Sequence, residues 1–126
     1  MDDLKLPKEL KDSFHLEVEQ TVYVPSTKNA SVKISQKEFK KRIRLVEMYL
    51  SKHYGGKTSV NAGGGYIAND NKTLINEDVV KVTSYATVGA FNKNKHNLIK
   101  KLKYWNKRFE QLEMGLEIEG DMYYVS

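Results

Sequence analysis

The chain has 126 residues, a length that supports one domain around one core. It contains no cysteine, which excludes disulfides, thiolate metal sites and cysteine nucleophiles. The net charge of +5 comes almost entirely from lysine, with Arg42, Arg44 and Arg108 as the only arginines, and lysine suits a solvated surface better than bidentate reading of phosphates or bases.

No apolar run approaches the roughly 18 residues of a membrane span, and the start MDDLKLPKELKD lacks the apolar stretch of a signal peptide. The expectation is a cytoplasmic protein without membrane contact. Its lysine- and asparagine-rich composition resembles that of proteins from AT-rich genomes, phages of such hosts included.

Residues 1–12 read as a charged N-terminal arm broken at Pro7, with a single domain over 13–126. From Phe14 the chain alternates: Phe14, Leu16, Val18, Val22 and Val24 against Glu17, Glu19, Thr21 and Tyr23, a strand with one buried face closing at Pro25. PSTKNAS then reads as a polar loop. Ser35-Gln36-Lys37-Glu38 is a capping box, with Ile34 and Phe39 placed as a hydrophobic staple. Phe39, Ile43, Val46 and Leu50 follow at spacings of 4, 3 and 4, one apolar helical stripe, and Gly55-Gly56 stops the helix.

The stretch Tyr54–Asn69 holds five of the eight glycines. Glycine at this density signals backbone at φ > 0, or an approach too close for a Cβ. Asn69-Asp70-Asn71-Lys72 is a turn signal between strands at Thr58–Ile67 and Glu77–Ala86. A second helix is expected over 91–113, with Leu98, Leu102, Trp105, Phe109 and Leu112 at spacings of 4, 3, 4 and 3, and with lysines on its other faces. The final strand, Leu116–Val125, carries a bulge or bend at Gly120-Asp121.

The order β-α-β-β-α-β predicts an α+β, ferredoxin-like βαββαβ domain, a four-stranded antiparallel sheet with two helices on one face. The tracks GGKTSVNAGGGY (Gly55–Tyr66), VVKVTSYAT (Val79–Thr87) and RFEQLEMGLEIEGDMYYV are similar to a group of small uncharacterised bacterial and phage ferredoxin-like proteins. That resemblance implies the fold and brings no activity with it.

Gly56-Lys57-Thr58 resembles the end of a phosphate loop, but Ser51 stands where the earlier glycine is required and the segment follows a helix instead of preceding one. Gly63, Gly64 and Gly65 remain as an anion-binding nest beside Tyr54, Lys57 and Tyr66, or as an edge-strand bulge. On the uncovered sheet face, parity places Tyr23, Lys81, Tyr85 and Tyr123 or Tyr124 among glutamates, which disfavours RNA stacking there. The ligand- or partner-binding set is therefore Tyr54, Lys57, Gly63, Gly64, Gly65, Tyr66, Tyr23, Tyr85 and Tyr123. His15, His53 and His96 lie in different elements without metal-ligand spacing, so no metal, no cofactor and no catalytic residue are expected.

The leading expectation is a small non-enzymatic binding or inhibitor protein, phage-encoded and anti-defence, homodimeric, sequestering a host protein or a nucleotide-like small molecule. The alternatives are a small enzyme with a sheet-lined acid–base pocket using Glu17, Glu19, Glu117 or His15, and a weak nucleic-acid binder through the lysine-rich helix.

Overall fold

The computed structural model describes residues 4–29 and 31–126. The first three residues of the expected arm and Ala30 of the expected loop lie outside the described residues. The elements are α1 (Lys8–Lys11), β1 (Val18–Pro25), β2 (Thr27–Lys28), β3 (Val32–Lys33), α2 (Gln36–Tyr54), β4 (Thr58–Ile67), β5 (Leu74–Ala86), α3 (Val88–Arg108), β6 (Met114–Ile118) and β7 (Asp121–Val125). Strands β4, β5, β1, β6 and β7 pair in that order into one antiparallel sheet, and β2 pairs with β3 in a separate ribbon.

The α+β expectation holds, but the four-stranded sheet gives way to five strands. Glu119 and Gly120 both take positive φ, 50° and 87°, and make a two-residue turn that folds the expected last strand into a β6–β7 hairpin. Other boundaries shift as well, β5 beginning at Leu74 and β6 at Met114. Phe14 is exposed and β1 begins only at Val18. The loop after Pro25 contains the β2–β3 ribbon. Helix α3 starts at Val88, with the Thr87 hydroxyl accepting from Ala90 N at 3.0 Å, and ends at Arg108, which leaves Leu112 exposed and off the apolar stripe.

Strand alternation sends Val22, Val24, Val80, Val82, Met114 and Leu116 to one face of the sheet. There they meet Phe39, Val46 and Leu50 of α2, Leu98, Leu102 and Trp105 of α3, and Phe109 at the C-cap of α3. The Ser35 half of the capping box forms, its hydroxyl accepting from Glu38 N at 3.1 Å, and Gly55 closes α2 at φ 89°.

Arg42 is an unexpected member of this interior. It is 2 % exposed, with Nη1 donating to Pro25 O (2.9 Å) and Thr27 O (2.8 Å) and Nη2 to Phe109 O (3.0 Å), its guanidinium lying over the Phe109 ring. Burial pushes its pKa below the usual value, and the Glu38 and Glu110 carboxylates oppose that shift. One side chain thus ties the β2–β3 ribbon to the end of α3. Among the described residues, no helix is long and apolar enough to cross a membrane.

The β4–β5 turn rests on Asp70, which accepts from Lys72 N and Thr73 N at 2.9 Å and from Thr73 Oγ1 at 2.7 Å. These bonds hold its carboxyl at about 2, below the ordinary 3.8. A carboxyl depressed by folding contributes stability above its unfolded value and loses it as pH falls through its folded value. Asp70→Ala is therefore expected to lower the urea midpoint at neutral pH. The difference from wild type should shrink as pH falls from about 4 to about 2, and a difference constant over that range would contradict the assignment.

Candidate functional site

The helix-free face of the sheet holds a depression of about 710 Å³, within the size range of small-molecule pockets. It exists because of how the β4–β5 hairpin sits. Strand β5 pairs with β1 only from Val79 to Ala86, so its first half, paired with β4 alone, projects beyond the rest of the sheet. Gly63, Gly64 and Gly65 lie opposite Asp78, Glu77 and Asn76 in that projecting half. On the other side, Gly115 leaves room where a Cβ would stand 3.3 Å from Met122 Cε and 3.4 Å from Tyr23 Cβ.

The glycine segment itself is regular strand. The positive-φ glycines are Gly55 and Gly120, and Gly63–Gly65 keep continuous register with β5. Neither the expected bulge nor the anion nest forms, because a nest needs a left-handed residue that this extended backbone lacks. The glycines act by omission, leaving the floor of the depression open.

Two carboxylates, Glu77 and Glu113, and three rings, Tyr23, Tyr66 and Tyr124, line the depression together with Lys81 and Gln111. The Tyr23 hydroxyl donates to Glu117 Oε1 at 2.6 Å, and Lys81 Nζ lies 4.0 Å from the same oxygen and 5.3 Å from the Tyr23 ring centre. Burial, and next the bond to Glu117, push the Tyr23 phenol above its ordinary value, with Lys81 opposing. Glu77 Oε2 accepts from the Thr27 hydroxyl at 2.9 Å. Thr27 is buried, and its carbonyl is held by Arg42 and by the Gln111 amide. A continuous chain of bonds therefore runs from α2 through β2 to a carboxylate at the cavity.

The expected site residues divide among three hollows. Tyr23, Gly63, Gly64 and Tyr66 line the open-face depression. Gly63, Gly64 and Gly65 also border a second hollow on the opposite face of the hairpin, where Glu77 stands on the shared rim. Tyr54, Lys57 and Tyr85 gather with Gly55 and Gly56 in a smaller hollow of about 230 Å³ at the other end of β4. There Lys57 is already occupied by Glu47 and Ser59. Tyr123 falls on the helix side of β7, and its neighbour Tyr124 reaches the depression instead.

The acid–base set of the enzyme alternative is also scattered. His15 and Glu17 are exposed ahead of β1, and Glu19 and Glu119 sit by Tyr85, whose phenol the Glu19 charge pushes up. Glu117 alone contacts a residue of the cavity wall. Glu77, Glu113 and Gln111 line the depression and do not belong to the set that the sequence suggests. Glu77 was within reach of parity, being two and four residues from Val79 and Lys81 on the same strand.

The fold and the hollow together define a small α+β protein with a ligand-sized cavity on its open sheet face. No protein family matches the chain, and no curated protein matches it in sequence. Two solved structures share its fold. One is a phage SAM lyase in complex with S-methyl-5'-thioadenosine, at TM-score 0.57 and 15 % identity, matched over 86 % of this chain and 88 % of that chain. The other is a phage SAM lyase in the apo state, at TM-score 0.59 and 16 % identity with the same coverage.

Both are phage proteins, as the composition led us to expect here, while nothing ties the chain to an uncharacterised ferredoxin-like group. Both are also enzymes. The expectation of a non-enzymatic binding or inhibitor protein is corrected on this finding, which favours the enzyme alternative.

Proposed function

We propose that the chain is a phage enzyme that cleaves S-adenosylmethionine (SAM) at its sulfonium and releases S-methyl-5'-thioadenosine. The observation that carries this reading is the open-face cavity, which pairs carboxylates with tyrosine rings in a fold shared with a phage SAM lyase. SAM brings two cationic groups, a sulfonium and an ammonium, and one carboxylate. Tyrosine faces attract a sulfonium through cation–π contact without full charge neutralisation. Glu77 or Glu113 can hold the ammonium.

The chemistry decides which group goes where. Release of the thioether breaks the bond between sulfur and the γ-carbon of the amino-acid chain, and the electron pair goes to sulfur. The γ-carbon then bonds to the substrate's own carboxylate oxygen, giving a lactone with no water consumed and no protein base required. Positive charge on sulfur is lost along this path, so a carboxylate against it would stabilise the substrate more than the transition state. The ammonium keeps its charge throughout. We therefore assign Glu77, fixed by Thr27, to the ammonium, and the rings of Tyr23, Tyr66 and Tyr124 to the sulfonium and adenosine. The protein's part is to fold the substrate chain onto itself and exclude water.

The same reading takes the order β4-β5-β1-β6, with α2 and α3 on one face, as a ferredoxin-like arrangement extended by β7. Chromatography of SAM incubated with substoichiometric protein tests the function. Accumulation of S-methyl-5'-thioadenosine beyond the amount of protein supports it, and SAM decaying no faster than in buffer overturns it.

A further inference from the structure

Charge is unevenly placed on this molecule. Helices α2 and α3 carry more than half of the chain's 21 basic residues but only two of its 16 acidic ones, Glu38 and Glu47. Helix α3 contains no carboxylate at all in 21 residues. Along it, Lys93, His96, Lys100, Lys103 and Lys107 follow at spacings of 3, 4, 3 and 4, so all five stand on one exposed stripe, opposite the buried Leu98, Leu102 and Trp105. Lys37, Lys41, Arg44 and Lys52 form a second exposed stripe on α2.

Of these cations Arg44 has a carboxylate, Glu47, within electrostatic reach, and among the described residues none of them forms an ion pair. Among the described residues the ion pairs fall on Lys28, Arg42, Lys57 and Lys81, so no carboxylate lies within 4.0 Å of either stripe. Between the helices runs a groove of about 290 Å³ whose charged lining, Lys52, Lys101 and Arg108, is cationic throughout. Lys101 lies 4.9 Å over the Tyr104 ring, which keeps its ammonium at the mouth of this groove.

We infer that this helical layer docks on the phosphate backbone of duplex DNA, without reading its sequence. The α3 stripe is about 21 Å long at 1.5 Å per residue. Duplex DNA presents one charge per roughly 1.7 Å of axis, so several phosphates face the stripe at once. Lysine supplies point charges and not the bidentate fork that reads guanine, which makes the contact sequence-independent. A membrane surface fits less well, because an interfacial helix needs a broad apolar face beside its cations and here that face is buried in the core. A single strand would call for several stacking rings, and Tyr104 is the exposed ring at the groove. The glutamate-bearing open face points away from the DNA, so the cavity stays accessible.

Fluorescence anisotropy of the full chain with a duplex of about 20 bp and arbitrary sequence tests the inference. The logarithm of affinity is expected to fall linearly with the logarithm of salt, with a slope of about −3 to −5 between about 50 and 200 mM. Lys100→Gln/Lys103→Gln/Lys107→Gln is expected to weaken binding about 10- to 100-fold and flatten the slope by about 3. Lys5→Gln/Lys8→Gln/Lys72→Gln, neutralising as many exposed lysines elsewhere, should change neither, and circular dichroism checks that both variants fold. Absence of binding at about 50 mM salt, binding indifferent to salt, or equal losses in the two triple variants would overturn the inference. Salt-sensitive self-association without DNA would overturn it too, by giving the layer to the acidic face of a second copy.

Discussion

Glu77→Gln is expected to lower kcat/KM for SAM cleavage by about 10- to 100-fold, with the larger share in KM. A hydrogen bond between opposite charges contributes about 1.5–3 kcal/mol, which converts to a factor of that size. The ammonium carries the same charge in substrate and transition state, so its partner binds both alike and its loss is felt mainly as weaker binding. A smaller part should fall on kcat, because a loosely held amino-acid chain visits the reactive conformation less often.

Thr27→Val separates these two effects. It keeps the carboxylate but removes the 2.9 Å bond that fixes it, so kcat is expected to fall by more than KM rises. Steady-state kinetics on both variants, with circular dichroism to confirm folding, check this. Unchanged kinetics in Glu77→Gln would move the ammonium to another group in the cavity.

Arg42→Ala is expected to destabilise the fold by about 3 kcal/mol. The size follows from what remains after the change. Gln111 still donates to Thr27 O and Phe109 O, so those carbonyls keep one partner, while Pro25 O loses its Arg42 donor in a buried setting. Loss of two further charge-assisted bonds and of the packing on Phe109 adds to that. Arg42→Lys should recover only a part, because one ammonium cannot span carbonyls that the guanidinium reaches from two nitrogens. Urea midpoints at unchanged m-value measure the effect, and a loss below about 1 kcal/mol would contradict the role given to Arg42.

Local signals in the sequence suffice where a single residue's chemistry decides the outcome. Ser35 caps α2, Gly55 ends it, and Asp70 builds the β4–β5 turn. What the local signals do not carry depends on partners distant in sequence. Arg42 falls between Phe39 and Val46 on the apolar side of α2, and only the carbonyls of residues 25, 27 and 109 converging on it make that position tenable for a charge. Gln20 is likewise buried at a strand position that composition alone would leave wet.

The extra strand turns on Glu119 adopting φ 50°, a conformation that glutamate rarely takes, so Gly120-Asp121 reads equally well as a bulge. That same turn sets the parity of β7, which is why Tyr124 and not Tyr123 reaches the cavity. Tyr23, Tyr66, Gly63 and Gly64 were legible at the site because strand parity and glycine density mark them. Glu113 and Gln111 were not, because they enter from the stretch after α3, which the sequence presents as more helix.

The central claim is that the cavity turns its substrate over instead of holding it. A proton NMR time course of SAM, in tenfold or greater excess over the chain, measures this in one sample. The expected result is replacement of the sulfonium methyl signal by the thioether methyl of S-methyl-5'-thioadenosine, continuing for many equivalents per chain, with one four-carbon product for each. A sulfonium signal that broadens on binding but never converts would contradict the claim.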